Sequence, residues 1–198
     1  MAIVCTSCGE YIVPTVNKEK HTATCLNCNH ESAMNIFPLF IVTGASGVGK
    51  TTVVTELRKY LPDYDIFETD IIEDNDWQTQ RNNWLRIAHS IAQNNRKTIL
   101  CGTMMPEDVA KCDHFGFFSQ VHYAILHCDD QTREARLRAR PAWRNCGSDE
   151  FIADHKKFAH WLVENANTAF VPPAPIIDTT FNNPNEVARD ISNWVQSC

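Results

Sequence analysis

The chain has 198 residues and a mass of 22.5 kDa, enough for one full core plus a small module, with 43% hydrophobic and 21% charged residues. These proportions exclude a disordered, collagen-like or coiled-coil chain, and no apolar run approaches the roughly 20 residues that a membrane-spanning helix needs. A net charge of −6 and a pI near 5.7 argue against adhesion to nucleic acid or anionic membranes through bulk charge. The first residues hold no cationic segment followed by a signal-like apolar stretch, so the expected location is cytoplasmic.

Disulfides are unstable in that compartment, so spacing must explain the nine cysteines. Cys5-Thr-Ser-Cys8 and Cys25-Leu-Asn-Cys28 are two C-x2-C pairs separated by sixteen residues. Each pair makes a knuckle that aims two thiolates at one ion, and two knuckles complete the four-sulfur tetrahedron that structural Zn²⁺ prefers. Gly9 behind the first pair, and Asn27 and Asn29 around Cys28, tolerate turn backbone. Strands are predicted at 11–13 and 21–24 around a polar turn at 17–20. Residues 1–35 are thus expected to form a zinc ribbon whose folding energy comes largely from its metal. Its Lys18 and Lys20 stand against Glu10, Glu19 and Glu31, a net −1 that favours a structural or protein-docking role over nucleic-acid binding. Cys101, Cys112, Cys128, Cys146 and Cys198 show no ligand spacing and read as small apolar fillers.

Residues 37–43 are a continuous apolar run of strand length. Gly44, Ala45, Ser46, Gly47, Val48, Gly49, Lys50 and Thr51 follow at once and match G-x-x-x-x-G-K-[ST]. Beyond Thr52, Val53, Val54, Leu57 and Leu61 recur at helical spacing, so strand, loop and helix come in the order the motif requires. Consecutive N–H groups of such a loop form an anion nest, and the helix start adds its partial positive charge. Lys50 reaches β- and γ-phosphates and the Thr51 hydroxyl suits Mg²⁺, so a nucleoside triphosphate is the expected ligand.

Further strands are predicted at 64–69, 97–102, 121–128 and 174–178. Helices are predicted around 84–92 and 151–166, and after Asn183 with Pro184 and Glu186 as a capped start. Alternating apolar strands and helices imply an α/β fold, a five-stranded parallel sheet covered on both faces, over residues 36–198. Ligands of such a sheet collect at the C-terminal strand edge. Asp70 ends the second strand there, as general base toward an acceptor hydroxyl or as a Mg²⁺ ligand. Glu68, Glu73, Asp74 and Asp76 are secondary candidates. Arg133, Arg136, Arg138, Arg140 and Arg144 crowd one segment, with Arg133, Arg136 and Arg140 on one helical face. Because the guanidinium fork binds phosphate oxygens in pairs, residues 131–147, interrupted by Pro141 and Gly147, are predicted to be a lid over the triphosphate. A solvated face paired to Glu134, Asp129 and Asp130 is the alternative.

With loop, Asp70 and lid assembled, residues 37–198 resemble the small P-loop kinases, the nucleoside and nucleotide kinase superfamily with its gluconate-, shikimate- and chloramphenicol-type phosphotransferases. The resemblance implies ATP phosphates on Gly44 through Thr52, transition-state charge on Arg136 or Arg140, and acceptor activation near Asp70. It also implies that the Asp178-Thr179-Thr180 stretch lies near the adenine. Many relatives carry an acid at the end of the third strand to organise Mg²⁺, whereas this chain reads Cys101-Gly102-Thr103. The ribbon is likewise foreign to the common members. The expected function is an ATP-dependent kinase of a small acceptor, with nucleosides and nucleotides among the candidates. The acceptor is expected between the helix bearing Arg81, Trp84 and Arg86 and the turn at 103–106. Two alternatives stand: a polynucleotide 5′-hydroxyl kinase or RNA-processing enzyme, which would need a basic track that is not evident outside the lid, and a nucleotide-dependent switch docking a protein through the ribbon.

Overall fold

Two short antiparallel sheets open the chain in the computed structural model, which describes residues 3–72 and 76–198. Ile3–Val4 (β1) pairs with Tyr11–Ile12 (β2), and Thr15–Asn17 (β3), Thr22–Thr24 (β4) and Glu31–Ala33 (β5) form a three-stranded meander. This corrects the predicted hairpin: β2 pairs back to β1, and the partner of β4 is β3. Pro14, which has no N–H to give, separates the two ladders. The 17–20 turn is as expected, with the Asn17 carboxamide oxygen accepting from the N–H groups of Glu19 and Lys20.

Leu39–Thr43 (β6), Tyr64–Glu68 (β7), Lys97–Cys101 (β8), Val121–His127 (β9) and Ile176–Asp178 (β10) form one parallel sheet in the order β10-β9-β6-β8-β7. The helices are Lys50–Tyr60 (α1), Trp77–Gln93 (α2), Pro106–Ala110 (α3), Asp130–Arg138 (α4), Asp149–Glu164 (α5) and Pro184–Ser197 (α6). β6 is central and all five of its residues are buried, which is why it reads as an unbroken apolar run. Its residues alternate between two cores. Phe40 and Val42 pack with Val53 and Leu57 of α1 and Val187 and Ile191 of α6; Leu39 and Ile41 pack with Trp84 and Leu85 of α2 and Leu162 of α5. Asn183, Pro184 and Glu186 make the expected capping box at the start of α6. The short α3 escapes the sequence reading, being too brief to show a period.

A third, smaller apolar cluster joins the cysteine-bearing segment to the α/β core. Ala23, Met34 and Ile36 pack on Phe117, while Lys18 donates to the Phe118 carbonyl at 2.5 Å and Gln93 to that of Asn35 at 2.9 Å. On its other side Phe117 carries the buried ring of His89, stacked at 4.1 Å, and the edge of His114 at 5.5 Å. Burial, and then the nearby His114, press the His89 pKa down to about 4. No helix among the described residues is long and apolar enough to cross a membrane.

Candidate active site

All five parallel strands deliver their C-termini to one edge, and the loop from Gly44 to Gly49 crosses it between β6 and α1. Lys50 opens α1 and curls back, donating to the carbonyls of Gly44 at 2.6 Å and Ala45 at 3.0 Å. Burial drives its pKa down to about 8 against the pull of Asp70, and Arg140 adds to the lowering. Partners from distant elements brace the loop. The Thr103 hydroxyl donates to Gly44 O at 3.2 Å, the Thr179 hydroxyl to Val48 O at 2.9 Å, and the Ser46 N–H to Nδ1 of His155 at 3.2 Å.

Beside the loop the Thr51 hydroxyl donates to the carboxylate of Glu68, the last residue of β7. Glu68 stands in register with Cys101 of β8, so a carboxylate lies beside the strand end where the sequence has none. Sequence reasoning ranked Glu68 behind Asp70. The signal was the Glu68-Thr69-Asp70 spacing, but only sheet register reveals which acid meets Thr51. Two oxygen donors converging in this way fit Mg²⁺. Asp70 follows on an exposed turn, near enough to act on the charge of Lys50. That turn is pinned from α2: the Trp84 indole N–H donates to Thr69 O at 2.9 Å and the Gln80 amide donates to the same carbonyl. A side chain at Gly102 would stand 1.7 Å from the Thr69 hydroxyl, so the end of β8 must be glycine for Thr69 to fit.

The other acids and the α2 residues sort differently. Asp76 caps α2, accepting from the N–H groups of Gln78 and Thr79, and so serves the helix rather than the edge. Glu73 and Asp74 lie outside the described residues. Of the α2 residues expected beside the acceptor, Trp84 lies in the core and Arg86 lines a groove with Asp65 and Arg96. Arg81 is tied to Asp108 at 3.4 Å.

The five clustered arginines divide. Arg136 donates to Thr179 O at 2.7 Å and to Gly47 O at 3.4 Å, walling a cleft of about 310 Å³ that Gly49, Thr52, Asn182 and the exposed Arg140 also line. Arg133 does not reach it: its guanidinium is buried, donating to Asp130 and to the Cys128 carbonyl, both at 2.6 Å. Arg138 pairs with Glu134 and Asp149, and Arg144 stacks over Trp143 at 4.7 Å. The predicted face thus splits: Arg136 and Arg140 line the cleft, Arg133 is buried, and Arg138 makes surface ion pairs. Helical spacing placed Arg133 with Arg136 and Arg140 and offered Asp130 as a partner, but it could not show that the Cys128 carbonyl would help to bury its charge. The Asp178-Thr179-Thr180 stretch ends at this cleft through Thr179.

Cys5, Cys8, Cys25 and Cys28 come together with all four sulfurs within 4.8 Å of one another. Cys5 Sγ lies 3.7 Å from Cys28 Sγ and Cys8 Sγ lies 3.8 Å from Cys25 Sγ. A tetrahedral zinc with bonds of about 2.3 Å would space its sulfurs roughly 3.8 Å apart, so the set fits that metal. The two knuckles repeat one geometry. Gly9 N–H donates to Cys5 O and Asn29 N–H to Cys25 O, both at 2.9 Å, with Gly9 and Asn29 in the left-handed region. Backbone N–H groups of Cys8 and Ser7 hold the Cys5 thiol down to about 6, whereas against the His30 backbone N–H, burial and the three neighbouring sulfurs push the Cys28 thiol up to about 11.

No protein-family model and no curated protein matches the chain. Solved structures do. A sugar kinase from Janibacter sp. HTCC2649 superposes with a TM-score of 0.58 at 14% identity, over 81% of this chain and 95% of that one. A tunicamycin resistance protein from Deinococcus radiodurans gives 0.58 at 18% identity, over 80% and 95%. Shikimate kinase from Acinetobacter baumannii gives 0.51 at 16% identity, over 83% and 95%. The chain has the P-loop kinase fold, with a four-cysteine cluster at its N-terminus.

Proposed function

We propose that the chain is an ATP-dependent kinase that moves the γ-phosphoryl group onto a hydroxyl of a small acceptor. One observation carries the reading: the phosphate-loop Thr51 meets Glu68, with Asp70 two residues further along the same edge. Neighbours named as sugar and shikimate kinases are in keeping with a small-molecule acceptor. Loop N–H groups from Gly44 to Thr52 and the Lys50 ammonium hold the β- and γ-phosphates, and Arg136 walls the nucleoside side of the cleft. Thr51 and Glu68 would hold Mg²⁺, which when bound neutralises charge between the β- and γ-oxygens. Asp70 accepts the proton of the attacking hydroxyl, and Arg140 at the cleft mouth offsets charge on the transferred group. The four cysteines hold a structural Zn²⁺, which is in keeping with a reducing, cytoplasmic location. Changing Lys50→Ala should abolish transfer while zinc content stays at that of the unaltered chain. Transfer at a near-unaltered rate would contradict the reading.

A further inference from the structure

Ser46 lies in the middle of the phosphate loop, and its backbone N–H goes to a side chain 109 residues away, His155 on α5. Nothing in the loop motif asks for a histidine there. With Nδ1 accepting, the ring is the neutral tautomer that carries its proton on Nε2. The ring is half buried and leans on Phe151, with centroids 4.2 Å apart. Within electrostatic reach of it are Lys50 from α1, Arg133 from α4, Asp154 from its own helix, and Arg140 from the turn after α4. Burial first, and then the positive charges of Lys50, Arg133 and Arg140, hold the imidazole below the usual histidine range, with Asp154 opposing them.

We propose that His155 is a proton-linked stand-in for phosphate: its Nδ1 holds the Ser46 N–H, and when a triphosphate binds it takes a proton from solvent and releases that N–H to the ligand. The inference rests on the kinase reading only in requiring a triphosphate on the loop. A triphosphate sets several negative charges against Lys50 and Arg140 and so cancels the field that kept the imidazole neutral. An anion within about 4–6 Å raises a histidine pKa by about 1–3 on the pH scale. Once protonated, Nδ1 cannot accept, and a buried N–H left without an acceptor is costly, so Ser46 turns to the phosphate oxygen in the nest. The imidazolium is then a donor to the same anion. Binding takes up a proton, so nucleotide affinity rises as pH falls through the histidine range.

The test is a histidine NMR titration of the full, zinc-loaded chain, with and without Mg²⁺ and a non-hydrolysable ATP analogue, with His155 assigned by triple resonance so that no variant is required. The expected result is a His155 midpoint raised by the analogue, by about 1–3 on the pH scale. His155→Asn keeps an acceptor oxygen near the place of Nδ1 but cannot charge. It should bind the analogue more weakly, for want of the imidazolium donor, and lose the proton uptake that calorimetry in buffers of different ionisation enthalpy measures. A His155 midpoint unmoved by the analogue, or unaltered proton uptake in His155→Asn, would overturn the proposal. Failure of the unaltered chain to bind the analogue at all would instead overturn the phosphate-loop reading, before any histidine is followed.

Discussion

Glu68 and Asp70 stand two residues apart, yet the structure gives them different neighbours, and the roles proposed for them divide on that difference. Glu68 shares a hydrogen bond with Thr51, whereas Asp70 projects from an exposed turn within electrostatic reach of Lys50. Glu68→Gln should therefore raise the Mg²⁺ concentration needed for half-maximal rate by about 10- to 100-fold with the saturated rate largely kept. Asp70→Asn should lower the turnover by about 10²–10⁴ while ATP binding persists. Steady-state rates across a Mg²⁺ series check both, and an exchange of the two phenotypes would reverse the assignment. The sequence shows an acid close to the end of the second strand, on the edge that carries Lys50, and the structure puts Asp70 on the turn just beyond that strand. The precedence of Glu68 at Thr51 was not legible in the sequence, because the contact joins residues 17 apart that only the folded sheet brings together. The arginines were half legible for a similar reason. The sequence shows a cationic segment and offers Asp130 and Glu134 as local partners, but the Cys128 carbonyl on Arg133 and the Asp149 carboxylate on Arg138 appear only in the fold.

Single elements position these residues through contacts that motifs do not name. Gly102 follows β8 directly and leaves room for Thr69 to lie against it, and α2 grips the same turn with Trp84 and Gln80. Gly102→Ala should therefore cost about 1–3 kcal/mol of stability. It should also lower turnover more than it lowers ATP affinity, because the displaced Thr69 carries Glu68 and Asp70 with it. Denaturant unfolding beside kinetics reads both, and a variant with unaltered turnover would show that the turn is not held from β8. Strand and helix types were readable wherever a period ran long enough, as in α1, α2, α5 and α6. In the ribbon, strands of two or three residues offer no period, so the pairing of β2 with β1 depended on Pro14 and on the closure of two knuckles.

At the scale of the molecule, the cysteine-bearing segment and the α/β core meet at Phe117, and the buried His89 beneath it makes this junction sensitive to acid. His89 has a folded pKa of about 4 against an ordinary value of 6.5. The unfolded chain therefore binds the extra proton first, and stability present above 6.5 is lost progressively as pH falls toward 4. Thermal unfolding of the zinc-loaded chain between pH 6.5 and pH 5 should show a melting temperature that falls with acid. The slope should be shallower in His89→Phe, which keeps the ring but cannot charge; an unchanged slope would remove His89 from the account.

The parallel sheet, the phosphate loop and the paired acids converge on one claim, transfer of a γ-phosphoryl group to a small hydroxyl compound. It is tested most directly by following label from γ-labelled ATP, with Mg²⁺, across nucleosides, monophosphates, small sugars and 5′-hydroxyl oligonucleotides. The account predicts a labelled product confined to one class of small acceptor and little free phosphate without it. Free phosphate released at the same rate whatever the panel contains would contradict it and identify the chain as a nucleotide hydrolase.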